Sequence, residues 1–285
     1  MNSEDTQQNL LAKGSEPSRV AVALQSSFLG FATHAGFLNA LVDSGIQPDK
    51  ISGSSSGSLV AAAYACGLQQ QALRDMVLDQ KLKNSFFEWQ SLYRLPAVFT
   101  LYLGSGLVSG KNAIKYLQRN FPVSRIEDCQ HAELTIAVTN ISRMERQLIS
   151  TGEIAPYVLA SCAVSPVIRA QIIDGEYLID GGFTDGAPFE QWIDDPEIDS
   201  IIIHNIAFDP QVTCPQSKYS NFLACWAAAH QIADQQMMDQ RIKRAEAAGK
   251  ELIIHETRTA RPSIFSSRKT LEGNYQTAYD TFSAS

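Results

Sequence analysis

The 285 residues are 45% hydrophobic and 19% charged, which suits one packed globular domain and excludes a disordered or fibrous chain. A formal charge of −7 without a Lys/Arg cluster lacks the electrostatic footprint of a nucleic-acid binder, so no nucleic-acid partner is expected. Five cysteines, Cys66, Cys129, Cys162, Cys214 and Cys225, show no C-x-x-C spacing and predict buried free thiols, not a disulfide framework.

In chain order, residues 1–18 read as a loosely ordered tail ahead of a single catalytic domain over 19–285, with a motif-bearing core at about 20–207 and a C-terminal helical and strand region over 208–285. The tail has no apolar stretch of the secretory kind, and no run approaches the ~18 apolar residues of a membrane span. A cytoplasmic protein whose membrane contact is peripheral is therefore expected. VAVAL at 20–24 reads as a buried parallel strand. Helical spacing over 32–44 stops at Gly45, a strand at 50–52 follows, and an Ala-rich helix over 58–66 ends at Gly67. The aromatic stretch 84–107 resembles an inserted helical cap. Strand patterns return at 133–139, 171–174, 177–179 and 200–207, with a short helix near 155–161 between the first two. A long polar helix over 219–249, a last strand at 251–256 and a closing helix over 269–282 complete the chain. Alternating strands and helices predict α/β architecture with a mostly parallel sheet.

Gly53-Ser54-Ser55-Ser56-Gly57 is a G-x-S-x-G motif placed between a predicted strand and a predicted helix, the context in which a nucleophile elbow works. Only Ser55 is centred between the glycines, and the helix behind it aims N–H groups at developing negative charge. A serine hydroxyl needs a proton acceptor. His34 and His230 fall in predicted helices, His204 and His255 in apolar strand patterns and His131 in a polar turn. All five read as structural, His255 being the least excluded as a base. Asp180-Gly181-Gly182 follows the apolar run Tyr177-Leu178-Ile179, so a carboxylate stands where the chain leaves a strand. It reads equally as a base for Ser55 or as an Asp-Gly turn. Asp174-Gly175, by contrast, reads as an ordinary hairpin turn.

Together these residues resemble the patatin-like phospholipase family over roughly Val20 to Ala207. His34-Ala35-Gly36-Phe37-Leu38 with Ala40-Leu41 is similar to its first helix, and Gly53 to Gly57 matches its elbow. Ala160-Ser161-Cys162-Ala163-Val164-Ser165-Pro166 is similar to its alanine-serine-proline segment, and Asp180-Gly181-Gly182 with Pro188 matches its aspartate motif. The resemblance implies a three-layer α/β/α fold and acyl-ester hydrolysis by Ser55 with Asp180 as the only base. It also implies an acyl-lipid substrate and neither metal nor cofactor, with Gly53, Gly57, Gly181 and Gly182 shaping the two motifs. One block departs. The family's glycine-rich loop with a basic residue, whose N–H groups form the oxyanion hole, is replaced by Ser26-Ser27-Phe28-Leu29-Gly30-Phe31.

Counted back from His34, Gly30 takes the basic position; a one-residue shift puts it on the last glycine. Backbone donors from Ser27, Phe28, Leu29 and Gly30 are expected to serve in either case. Phe28, Leu29 and Phe31 themselves are expected in the core. Three readings follow: a lipid acyl hydrolase, an acyltransferase using the same serine, and a catalytically silent module binding lipid or a partner protein.

Overall fold

The computed structural model describes residues 19–88, 104–209 and 222–284, with 93, 95 and 96 between the first two segments and without the side chains of 209 and 222–231. The expected tail, most of the expected cap, Cys214, the start of the long C-terminal helix and the Cys225 side chain lie outside the described residues. The chain runs through strand β1 (Val20–Leu24), helix α1 (Phe31–Asp43), β2 (Lys50–Gly53) and α2 (Ser56–Ala65). Helices α3 (Gln70–Leu78), α4 (Gln80–Ser85) and α5 (Lys111–Asn120) lead to β3 (Glu133–Asn140), β4 (Glu145–Ile149) and α6 (Ile154–Ser161). Then come β5 (Gln171–Ile173), β6 (Glu176–Asp180), β7 (Ser200–Asp209), α7 (Phe222–Ala247), β8 (Glu251–Ala260) and α8 (Arg268–Ser283).

The strands form one 8-stranded sheet in the order β5-β6-β3-β2-β1-β7-β8, with β4 also paired to β3. Neighbours from β3 through β8 along this path are parallel, whereas β4 and β6 run antiparallel to β3 and β5 runs antiparallel to β6. Alternation along β1 explains the layering. Val20, Val22 and Leu24 join the larger core with α1, α2 and α8, while Ala21 and Ala23 join a second core with Phe189, Trp192 and Ala245. A strand buried on both faces must be apolar throughout, and all five residues of VAVAL are buried. Helix α2 is buried at all ten positions, which its run of alanines permits by letting the backbone approach the sheet. Helix α8 crosses α1 so closely that a Cβ on Gly36 would lie 2.1 Å from the Tyr275 carbonyl oxygen.

Asp174 and Gly175 have φ of 51° and 82° and join β5 to β6, the hairpin that the dipeptide predicts. Sequence patterns do not give β4, α3 or α5. Strand β4 reads ERQLI, and only Ile149 of it is buried, so it carries no apolar alternation to find. Cys66, Cys129 and Cys162 are free thiols, Cys66 and Cys129 having their sulfurs 3.8 Å apart.

Candidate active site

β2 ends at Gly53 and α2 begins at Ser56, leaving Ser55 at the turn with φ 51° and ψ −124°. Such a backbone is costly for a residue with a Cβ, by about 1–3 kcal/mol, and persists only where its surroundings hold it. Here they do. Ser161 Oγ accepts the Ser55 N–H at 2.9 Å, and the Ser58 hydroxyl donates to the Ser55 carbonyl at 2.7 Å. The Ser54 N–H reaches the Leu24 carbonyl at the end of β1 at 3.2 Å. The glycines make the turn sterically possible. A Cβ on Gly53 would lie 2.3 Å from the Gly57 carbonyl carbon, and one on Gly57 would lie 2.2 Å from the Leu24 carbonyl oxygen. Ser161 belongs to the alanine-serine-proline segment quoted above, but nothing in the sequence shows that its hydroxyl holds the elbow.

Asp180 is the last residue of β6, and its carboxyl lies within interaction range of the Ser55 side chain. It is only 2% exposed, and Ser55 8%. Thr139 Oγ1 donates to its carbonyl at 2.8 Å, and its carboxylate Oδ1 accepts the Gly182 N–H at 2.7 Å. Gly182 and Gly181 are again sites of close approach, their absent Cβ atoms falling 2.3 Å from Ser26 Oγ and 2.2 Å from the Ala137 carbonyl oxygen.

Burial pushes the Asp180 carboxyl up to about 7 against the lowering effect of the Ser55 side chain and the Gly182 N–H. Oδ2 itself has no formed hydrogen bond. The Ser55 side chain nevertheless lies close enough to act on the carboxyl.

The loop after β1 reaches the elbow through Ser27 and Ser56. Leu29 takes φ 52°, a conformation natural to glycine, and turns the chain at 28–30. This corrects one expectation. Phe31 is buried and Leu29 packs against the core, but Phe28 is 52% exposed because the turn throws it outward. At Gly30 a Cβ would lie 2.0 Å from Ser27 Oγ and displace that side chain. Among the described residues, the N–H groups of Ser27, Phe28, Leu29 and Gly30 donate to no acceptor. The Ser56 N–H, in the first turn of α2, is likewise without an intrahelical partner. Ser27 Oγ and Ser56 Oγ are 2.9 Å apart and join the loop to the elbow.

Ser55, the loop and α2 open onto a cavity of about 500 Å³. Phe31, Leu59, Phe86, Leu107, Val108 and Ile168 are among its walls, and among the described residues its polar lining is Ser26, Ser27, Ser55, Ser56, Glu88 and Cys162. Burial, helped by the nearby Asp180 charge, pushes the Cys162 thiol up, so it does not compete with Ser55 as a nucleophile. Among the described residues, none of His34, His131, His204 and His255 lines the cavity. His255 stacks on Phe37 and meets Phe282 edge-on instead. Among the described residues no cluster of three His, Cys, Asp or Glu side chains could hold a metal ion. Beyond the turn at Gly181–Phe183, fully buried Asp185 bridges Arg146 and Arg241 and ties the chain after Asp180 to β4 and α7. No sequence motif marked these three.

The fold agrees with what known proteins show. In overall structure the chain resembles VipD from Legionella pneumophila, with a TM-score of 0.51 at 14% identity, over 94% of this chain and 66% of that one. In sequence it is 28% identical over 160 residues to "Lysophospholipase NTE1" of Yarrowia lipolytica, covering 56% of this chain. It is 29% identical over 187 residues, or 61% of the chain, to "Patatin-like phospholipase domain-containing protein ZK370.4" of Caenorhabditis elegans. The match spans only 11% and 13% of those two proteins' own lengths. The family model "Patatin-like phospholipase" matches residues 22–193, which hold the elbow, the Asp180 motif and the loop between β1 and α1. The chain belongs to the patatin-like phospholipase family, a family of lipid hydrolases.

Proposed function

We propose that the protein is a serine acyl hydrolase that cleaves carboxylic esters of acyl lipids. One observation carries this reading: an apolar cavity of about 500 Å³ ends at the hydroxyl of a strained serine above a buried, partly unsatisfied carboxylate. A cavity of this size and lining suits an acyl chain, whose only polar group must then lie at the serine end. In the mechanism Ser55 Oγ attacks the ester carbonyl as its proton passes to Asp180. The negative charge on the former carbonyl oxygen is met by the Ser56 N–H and by N–H groups of the loop 27–30.

Collapse of the intermediate breaks the bond to the alcohol oxygen, which leaves with the proton from Asp180. Water then attacks acyl-Ser55 with Asp180 again taking the proton, releasing fatty acid and restoring the serine. The group that normally needs a histidine is here a carboxylate whose raised pKa brings its basicity near neutrality.

The cavity mouth adds a second element. Phe28, Val164 and Val167 line the cavity and are also exposed, so apolar side chains face solvent around the opening. That rim supports peripheral contact with a lipid surface. Among the described residues no helix is long and apolar enough to cross a membrane.

A fluorophosphonate tests the reading directly. Native protein is expected to take up one equivalent, located on the Ser55 peptide by mass spectrometry, and to release fatty acid from lysophospholipid or short-chain ester. Ser55→Ala is expected to do neither while melting normally. A native chain that stays unlabelled and inert would transfer the weight to a lipid- or partner-binding module, and turnover that requires an alcohol acceptor would point to acyl transfer.

A further inference from the structure

Behind the loop, four groups from four segments form a hydrogen-bonded row. Thr257 Oγ1 on β8 is 2.9 Å from His204 Nε2 on β7, and His204 Nδ1 is 2.8 Å from His34 Nδ1 on α1. His34 Nε2 is 2.8 Å from the Gln25 carbonyl at the start of the loop. Thr257, His204 and His34 are fully buried, and Phe37 stacks on the His204 ring at 4.0 Å.

The direction of the row follows from chemistry. A carbonyl only accepts, so His34 Nε2 carries a proton and donates. In a neutral ring Nδ1 is then bare and accepts, which makes His204 Nδ1 the donor. His204 Nε2 is bare in turn and accepts the Thr257 hydroxyl proton. Burial keeps both rings neutral, drawing His34 down to about 3 and His204 well below its usual range, the neighbouring histidines adding to the effect at His204.

The row ends where the mechanism needs accuracy. The Gln25 carbonyl belongs to the peptide from which the loop departs, and Gln25 N–H is itself held at 3.2 Å by the His204 carbonyl. His34 Nε2 also lies 3.4 Å from Ser27 Oγ, which is in turn 2.9 Å from Ser56 Oγ. The loop and the first turn of α2, whose N–H groups the proposed mechanism uses, are thus joined through one chain of polar contacts. The loop has one glycine, Gly30, and a left-handed leucine, so its shape needs support from outside. His204 and Thr257 lie beyond residue 193, where the family match ends.

We propose that His34, His204 and Thr257 are positioning residues that hold the oxyanion loop through the Gln25 carbonyl, so that the C-terminal strands β7 and β8 contribute to the geometry of the reaction. The proposal rests on the hydrolase reading.

Thr257→Val removes the hydroxyl while keeping the side chain's shape, and Thr257→Ser restores it. With a displaced oxyanion donor, kcat is expected to fall about tenfold in Thr257→Val, a part of what complete loss of one donor costs. KM should change less than twofold, fluorophosphonate labelling of Ser55 should slow in parallel, and Thr257→Ser should stay near native. Nitrogen-15 spectra of the native imidazoles supply a readout independent of turnover, with the proton on Nε2 in His34 and on Nδ1 in His204. Native kcat in Thr257→Val, equal losses in the valine and serine variants, or a proton on Nε2 of His204 overturns the proposal. A native chain inert to the fluorophosphonate instead removes the hydrolase reading, and the positioning role with it.

Discussion

Asp180→Asn is expected to lose turnover by about 10²–10⁴-fold and at the same time to unfold at a higher temperature than the native protein above pH 7. Both effects have one origin. The carboxyl is buried under Ser55, and burial raises its pKa to about 7 in the folded chain, whereas an unfolded aspartate titrates at about 3.9. The proposed mechanism needs the ionised form, so kcat/KM of the native protein is expected to show an acid limb with its midpoint near pH 7. Below that limb the rate should fall about tenfold per pH unit.

For stability the sign is opposite. Between the unfolded and folded pKa values the native state holds a proton that the unfolded chain has released, so this group's contribution is complete below about pH 4 and is lost as pH rises through 7. Asparagine cannot ionise and keeps the neutral contacts. A gain of about 2–4 kcal/mol for the variant at pH 8 follows, vanishing toward pH 4. Paired melting curves and initial rates over pH 4 to 9 check it. An Asp180→Asn protein with native turnover, or a rate flat across neutrality, would remove Asp180 as the base.

The elbow and the aspartate were legible because steric necessity fixes their residue types. Gly53, Gly57, Gly181 and Gly182 each stand where a Cβ would enter backbone or a neighbouring side chain, and a sequence records such constraints as glycine at fixed spacing. Parallel strands were legible as short apolar runs, since burial on both faces leaves no room for polar alternation. The loop was legible in position but not in shape. A leucine with positive φ carries no sequence signal, and the exposure of Phe28 follows from that one dihedral. Also hidden was what the other polar residues do. Ser161 holds the nucleophile's N–H, and His34 and His204 meet at 2.8 Å although 170 positions apart, a pairing that only the order of β1, β7 and α1 in space creates. His34 and His204 each read as structural one by one, while the role proposed for them jointly belongs to no single position.

Gly57→Ala is expected to abolish Ser55 labelling and to destabilise the fold by about 3 kcal/mol or more, the upper end for overpacking. The added methyl would stand 2.2 Å from the Leu24 carbonyl oxygen and 2.9 Å from that of Gln25, and both obstacles are backbone. No rotamer change relieves such a clash, so either α2 moves away from β1 or the end of β1 moves. In the first case Ser55 is displaced from Asp180; in the second the loop 27–30, which departs from Gln25, is displaced from Ser55.

Gly273→Ala is the contrasting substitution. Position 273 lies within α8 and has nothing within 4 Å of the new methyl. Replacing a helical glycine there should stabilise by about 0.5–1 kcal/mol and leave labelling unchanged. Urea unfolding and fluorophosphonate uptake of the two variants separate the cost of adding a methyl from the cost of adding it at the elbow. Native stability and native labelling in Gly57→Ala would mean that the close contact between the nucleophile helix and the end of β1 does not exist in solution. The geometry of Ser55, Asp180 and the loop would then need to be redrawn, since all three are referred to that one contact.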